Sequence, residues 1–89
     1  MQFLVICRPA EGGDPQDFKR LVPFETEVLR ELKANGTLVD AWSPGHPGAV
    51  LVLETADPDQ AARILAELPL LEADLITTEI IPLHRIDLR

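Results

Sequence analysis

The chain has 89 residues, 46% of them hydrophobic, and a net charge of −7, which favours one globular domain over residues 1–89 and disfavours a disordered chain. Its 15 acidic and 8 basic residues argue against nucleic acid or a membrane as a partner, because an anionic surface attracts clustered Lys and Arg, and no apolar run reaches the roughly 20 residues of a transmembrane helix. Cys7 is the only cysteine, so an internal disulfide is excluded, and a free thiol without an export signal indicates a cytoplasmic protein. No metal-ligand spacing is present, so we expect no metal. Without a disulfide or a metal, we expect oligomerisation to reinforce the small core.

The first half of the chain predicts a strand, a long helix and a second strand. Residues 2–7 are mostly apolar and end before an Arg-Pro pair, which favours a strand. Asp14-Pro15 is a typical helix start, with an N-cap followed by proline in the first turn, and apolar residues recur at helical spacing up to a terminating Asn-Gly pair at 35–36. Pro23 predicts that this helix is bent, with two consecutive helices as the alternative. Residues 37–42 form the second predicted strand.

The second half begins with a turn and repeats the strand and helix patterns. Residues 43–48 (SPGHPG) contain two prolines and two glycines, which is typical of a turn, and the apolar run at 49–54 predicts the third strand. Asp57-Pro58 is a second helix start, with Gln60 placed as in a capping box. This second helix is predicted to end at Pro69.

The remaining residues complete a recognisable order of elements. A linker at 70–73 leads to a final strand at 74–83, and residues 84–89 are a short tail. The resulting order, βαββαβ, predicts an α+β protein with a four-stranded antiparallel sheet and both helices on one face, which is the ferredoxin-like fold.

The first and third strands are apolar on both of their faces. Phe3, Val5 and Cys7 alternate with Leu4 and Ile6, and the third strand shows no polar alternation either. Two helices can cover only one face of a sheet, and an exposed apolar face promotes association. We therefore predict a homodimer, or a larger homo-oligomer built on it, in which two sheets pack together as a dimeric α+β barrel.

Glu25 lies in the middle of the apolar stripe of the first helix, where a carboxylate is costly unless it is solvated or paired. One interpretation is that Glu25 faces a cavity between helix and sheet, with a pKa raised by apolar surroundings, and acts as a base. The alternative, slightly favoured by the pattern, is that Pro23 breaks the helix and leaves Glu25 exposed.

The turn at 43–48 and the strand before it carry further candidates. His46 lies in a stiff Gly/Pro turn, where an imidazole could carry a proton or contact a ligand, or simply be solvated. Trp42 ends the second strand and, by alternation, shares a sheet face with Leu38 and Asp40. It is either a pocket wall or a filler of the dimer core, and Asp40 is either a substrate contact or, the favoured alternative, part of an interface salt bridge.

Five short motifs occur in sequence between residues 25 and 70: Glu25-x-Glu27, Asn35-Gly36-Thr37, Trp42 five residues after the threonine, Gly45-His46, and Leu68-Pro69-Leu70. This ordered set resembles the muconolactone delta-isomerase family over about residues 23–84, with a one-residue gap before Gly45. The resemblance implies a ferredoxin-like fold, association through the sheets, and no metal or other cofactor. The chain departs from it at Leu38 and Pro47, where the family has aromatic residues, so the lining of the pocket differs.

The resemblance implies a cofactor-free isomerase that shifts a proton, and with it a ring double bond, on a small lactone or cyclic carboxylate. It implies that Glu25 is the base or proton shuttle, His46 a donor or second proton carrier, and Trp42 a pocket wall. Asp40 and Arg8 complete the predicted substrate contacts. Either Arg8 or Arg85 would supply the positive charge that an anionic substrate needs. The alternative function is a non-catalytic, oligomeric small-molecule-binding or biosynthetic accessory protein.

Overall fold

A computed structural model describes all residues, 1–89. Its elements, in chain order, are β1 (Gln2–Pro9), α1 (Pro15–Ala34), β2 (Leu38–Trp42), β3 (Ala49–Glu54), α2 (Pro58–Leu65), α3 (Pro69–Glu72) and β4 (Ile76–Leu83). The four strands form one sheet in the order β2-β3-β1-β4, and all neighbouring strands are antiparallel. The predicted ferredoxin-like arrangement is confirmed. No helix is both long and apolar enough to cross a membrane.

The first helix, α1, begins and ends where its local signals predict. The Asp14 side chain accepts a hydrogen bond from the Gln16 amide at 2.8 Å, which caps the first turn. The helix then runs without a break through Pro23 to Ala34, so the alternative of two consecutive helices is wrong. Gly36, with a φ of 84°, terminates it because glycine adopts this left-handed conformation without steric cost.

Several boundaries differ from the prediction, and α2 ends at Leu65 rather than at Pro69. β1 extends two residues further than predicted, to Pro9. At Pro9 the strand pairs with β4 on one side and has no partner strand on the other, and a proline, which lacks an N–H, is tolerated at such a position. The predicted linker at 70–73 is largely the one-turn helix α3, which starts at Pro69. β4 accordingly begins at Ile76, two residues later than expected.

The core lies on the face of the sheet that the helices cover. Phe3, Val5 and Leu53 are almost completely buried there. On the opposite face, which we call the open face, no helix covers the apolar side chains, and these are only partly buried: Leu4, Ile6, Val50, Val52 and Ile81. The expectation that β1 and β3 are apolar on both faces is confirmed.

A β-bulge in β2 changes which side chains share a face. Leu38 pairs with Leu53 on the covered face and is buried, whereas Asp40 and Trp42 pair with valines of the open face. The register shifts between Leu38 and Asp40 because Val39 is an extra residue in the ladder, and an extra residue reverses the alternation beyond it. The prediction that Leu38 shares a face with Asp40 and Trp42 is therefore wrong.

Gly48, at the entrance to β3, brings the backbone close to β1. Its φ is 127°, and a Cβ at this position would lie 2.7 Å from the carbonyl oxygen of Cys7. We expect Gly48→Ala to lower the free energy of unfolding by about 2 kcal/mol or more, because it adds a backbone clash to an unfavourable φ. Urea unfolding measures the change. Gly45→Ala is the control, since a Cβ there meets nothing within 4 Å; an equal loss in both variants would contradict the clash.

Candidate functional site

A cavity of about 420 Å³ lies between α1 and the covered face of the sheet, next to the turn at 43–48. Eight of its 14 lining residues are hydrophobic. The side chains among them that carry polar or ionisable atoms are Cys7, Glu25, Thr26, Ser43 and His46. A mostly apolar cavity with a few convergent polar groups is the usual form of a small-molecule site.

Glu25 reaches this cavity from the middle of α1 and is only 9% exposed. Its Oε1 accepts a hydrogen bond from the backbone amide of Leu70 at 3.1 Å. Leu70 lies in the first turn of α3, whose N-cap residue, Leu68, makes no side-chain capping bond. Glu25 thus satisfies an amide that the short helix leaves free, and this bond holds the carboxylate in one orientation.

The second carboxylate oxygen of Glu25 remains open to the cavity. Oε2 takes no hydrogen bond from the protein. Because every fully buried side-chain oxygen of the chain has a hydrogen-bond partner, Oε2 is not fully buried and has access to the cavity that Glu25 lines. Burial raises the pKa of Glu25, and the hydrogen bond from Leu70 only partly opposes this effect. The predicted burial and raised pKa of Glu25 are confirmed, and the exposed alternative is wrong, because the helix continues in phase through Pro23. The role of Glu25 as a base stays a prediction.

His46 lines the same cavity from the turn and is exposed to solvent. Its Nδ1 lies 3.1 Å from the carbonyl oxygen of Pro47. Because a carbonyl can only accept a hydrogen bond, Nδ1 carries the proton in this geometry, and Nε2 of the neutral ring is a proton acceptor. The structure therefore brings Glu25 and His46 to one cavity.

The cavity also contains polar residues that the sequence did not single out. The Ser43 hydroxyl accepts a weak hydrogen bond from the Gly45 amide at 3.4 Å and keeps its own hydrogen to donate. Thr26, beside Glu25, donates its hydroxyl to the carbonyl of Val22 at 2.9 Å and so is already engaged. A residue in an exposed turn carries no periodic signal, so the sequence offered no means of finding Ser43.

Cys7 lies at the floor of the cavity and is buried. Burial raises the pKa of its thiol to about 11, and the nearby negative charge of Glu25 adds to the effect. A thiol with this pKa stays protonated at neutral pH and is a poor nucleophile. Cys7 therefore behaves as a small core residue.

Trp42, Asp40 and Arg8 lie on the open face, on the other side of the sheet from Glu25 and His46. Trp42 is 54% exposed, and Arg8 Nη1 donates to Glu79 Oε1 at 3.0 Å. None of the three lines the cavity. The structure does not bring them together with the other predicted site residues, and a substrate contact for them stays a prediction.

The chain is similar to known proteins in both sequence and structure. The family model for muconolactone delta-isomerase matches residues 1–87. The crystal structure of a muconolactone isomerase is similar, with a TM-score of 0.80 and 25% identity over 100% of this chain and 94% of that chain. A 5-chloro-2-hydroxyhydroquinone dehydrochlorinase from Burkholderia phenoliruptrix, solved with 2,5-dihydroxybenzoquinone, shares the fold, with a TM-score of 0.76 and 19% identity over 94% of each chain. No curated protein sequence matches the chain.

No group of three or more His, Cys, Asp or Glu side chains is arranged to hold a metal ion.

Proposed function

Because this chain belongs to the muconolactone delta-isomerase family, we propose that it catalyses a cofactor-free proton shift that moves the ring double bond of a small lactone. The observation that carries the proposal is Glu25: a buried carboxylate with a raised pKa, one oxygen held by the Leu70 amide and the other open to the cavity. A carboxylate in this setting can take a proton from carbon and give it back.

The reaction needs one base that acts twice. Oε2 of Glu25 removes the proton α to the lactone carbonyl, and the electron pair of that C–H bond moves into the ring as a dienolate whose negative charge rests on the carbonyl oxygen. The protonated carboxyl then returns the proton to the γ carbon, and the double bond moves into conjugation with the carbonyl. No atom is gained or lost, and no oxidant or reductant is needed. A raised pKa helps both steps, since it strengthens the base and allows it to stay protonated in the intermediate.

The other polar groups of the cavity have complementary roles. We assign to the Ser43 hydroxyl, which lines the cavity and has a hydrogen free to donate, the stabilisation of the charge on the dienolate oxygen. His46 acts as a second proton carrier through Nε2, because its Nδ1–H is already directed at the Pro47 carbonyl. This tautomer disfavours the neutral His46 ring as a donor to the dienolate.

The open face supports a proposal about assembly. Its apolar side chains and the exposed Trp42 match the pattern of a surface that is covered by a second copy of the same sheet. We propose that the chain works as a single domain, residues 1–89, and as a homodimer joined through this face. Trp42, Asp40 and Arg8 would then lie at or beside the interface, and a substrate contact from them would be made across it. The unpaired thiol of Cys7 suits a cytoplasmic location.

The test of the function is turnover of a β,γ-unsaturated butenolide, followed by the ultraviolet absorbance of the conjugated product. We expect His46→Ala to lower kcat/KM by about tenfold to a hundredfold, since loss of one proton carrier leaves Glu25 in place. The matched control is His84→Ala in the exposed tail, which we expect to leave kcat/KM unchanged. Equal rates for the His46 variant and the wild type would remove His46 from the mechanism.

One observation favours the alternative function, a non-catalytic small-molecule-binding protein. Pro47 lines the cavity at a position where the resemblance places an aromatic residue, so the lining has changed next to His46. A binding protein would be stabilised against thermal unfolding by the butenolide without converting it. That combination of results would replace the isomerase with a binding function.

A further inference from the structure

Few ionisable side chains line the cavity. Of its 14 lining residues, only Cys7, Glu25 and His46 are ionisable, and none is a Lys or an Arg. Because the Cys7 thiol stays protonated, Glu25 is the only anionic side chain that a bound molecule meets there. His46 offers the molecule one ring nitrogen, since the other faces the Pro47 carbonyl.

None of the eight basic side chains of the chain lines the cavity. Four of them form surface ion pairs: Arg8 with Glu79, Arg20 with Asp17, Arg30 with Glu27, and Arg89 with Asp87. Arg85 lines a depression beside the N-terminus, away from the cavity. Lys19 lines a neighbouring hollow of about 240 Å³ that shares Phe18 and Pro47 with the cavity, but it does not line the cavity itself.

A ligand carboxylate would therefore meet an unfavourable environment. It would lose hydration against mostly apolar walls, gain no guanidinium or ammonium partner, and lie in the same cavity as the carboxylate of Glu25. Like charges in one weakly solvated cavity repel, and an unpaired charge that leaves water is costly. An uncharged ring that accepts a hydrogen bond from Ser43 meets none of these penalties.

From this distribution of charge we propose that the cavity takes an uncharged lactone and discriminates against one that carries a carboxylate. The inference rests on the proposed function for the reaction, but it concerns the substrate class, and it removes the need for Arg8 as an anion partner. It fits the position of Arg8 on the open face, paired with Glu79. The cavity of about 420 Å³ is in the size range of sites for small rings.

The test compares ligands that differ in charge but hardly in size. The probes are a γ-carboxymethyl butenolide, its methyl ester, and a γ-methyl butenolide, measured at about pH 8, where the free acid is ionised. We expect the ester to bind and to be converted about tenfold or more better than the acid, with the γ-methyl compound also accepted. Calorimetry gives the Kd, and absorbance gives kcat/KM.

The outcomes separate this inference from the proposed function. An acid that binds as tightly as its ester, or more tightly, overturns the inference, and if the acid is converted the isomerase function stands. An ester preference in binding without any turnover supports the inference and overturns the isomerase function. If none of the three probes binds, both proposals are wrong.

Two variants test whether Glu25 is the source of the discrimination. In Glu25→Gln the like charge is gone, and we expect the ratio of the two Kd values, acid over ester, to fall severalfold or more. Lys19→Met is the control for a cation that reaches the ligand from the neighbouring hollow, and we expect its ratio to equal that of the wild type. An unchanged ratio in the Glu25 variant, or a raised ratio in the Lys19 variant, would contradict the charge argument.

Discussion

Replacing Glu25 with Gln is expected to lower kcat/KM for the butenolide by about a hundredfold to ten-thousandfold. The amide keeps the shape of the side chain, and its oxygen can still accept the hydrogen bond from Leu70, but it cannot take a proton from carbon. The matched control is Glu27→Gln, the same change two residues along α1, where the carboxylate is exposed and pairs with Arg30. A Glu25 variant as active as the Glu27 variant would exclude Glu25 as the base.

The same substitution is expected to stabilise the protein at neutral pH by about 1 kcal/mol, because it removes a charge that is poorly solvated in the folded state. The pKa of Glu25 is higher in the folded chain than the roughly 4.3 of an unfolded one. The stabilisation that comes from the protonated Glu25 carboxyl is therefore fully present below pH about 4 and is lost as the pH rises through the folded pKa. The variant should equal the wild type in unfolding free energy near pH 4 and exceed it at pH 7, which urea unfolding at both pH values measures.

The raised pKa of Glu25 also predicts the pH dependence of catalysis. The base works only when it is ionised, so kcat/KM of the wild type should fall on the acidic side with a midpoint above the ordinary range of a carboxyl group. A midpoint near 4.3, roughly the value for a solvated glutamate, would contradict the buried setting of the active carboxylate.

Placing a charge at the centre of the open face is expected to dissociate the proposed homodimer. Leu4 lies on a central strand, β1, and pairs with Val52 on one side and Ile81 on the other, so it is surrounded by apolar neighbours. In Leu4→Asp an unpaired carboxylate would be buried between two sheets, at a cost of about 3 kcal/mol or more, which weakens the association by about a hundredfold or more. Analytical ultracentrifugation across a range of protein concentrations measures the change.

The control for the interface is a charge on another exposed apolar position. Phe24, on the outer side of α1, is 61% exposed. We expect Phe24→Asp to keep the sedimentation behaviour of the wild type, whereas the Leu4 variant sediments as a monomer. If Phe24→Asp dissociates the protein and Leu4→Asp does not, the interface lies on the helices and the open face is not its centre.

Much of the fold was predictable because its signals act within a turn or a strand. Asp14 and Asp57 cap the helices that follow them, and Gly36 ends the first one, through bonds between residues a few positions apart. Interactions of such short range do not depend on the rest of the structure. The apolar runs of β1 and β3 were equally clear, because the absence of polar alternation in a strand is enough to indicate a sheet that is apolar on both faces.

Spacing along the chain was sufficient to establish the order of the elements, the family resemblance and the unusual position of the carboxylate of Glu25. The role of Glu25 depended on tertiary contacts: its partner, the Leu70 amide, is 45 residues away, and no local pattern couples the two positions. Packing likewise determined which side chains share a face of the sheet, because the bulge at Val39 placed Trp42 and Asp40 on the open face, away from the cavity. A contact between distant residues depends on the free energy of the whole packed core. A sequence pattern of short range carries no information about that free energy, so it does not predict the contact.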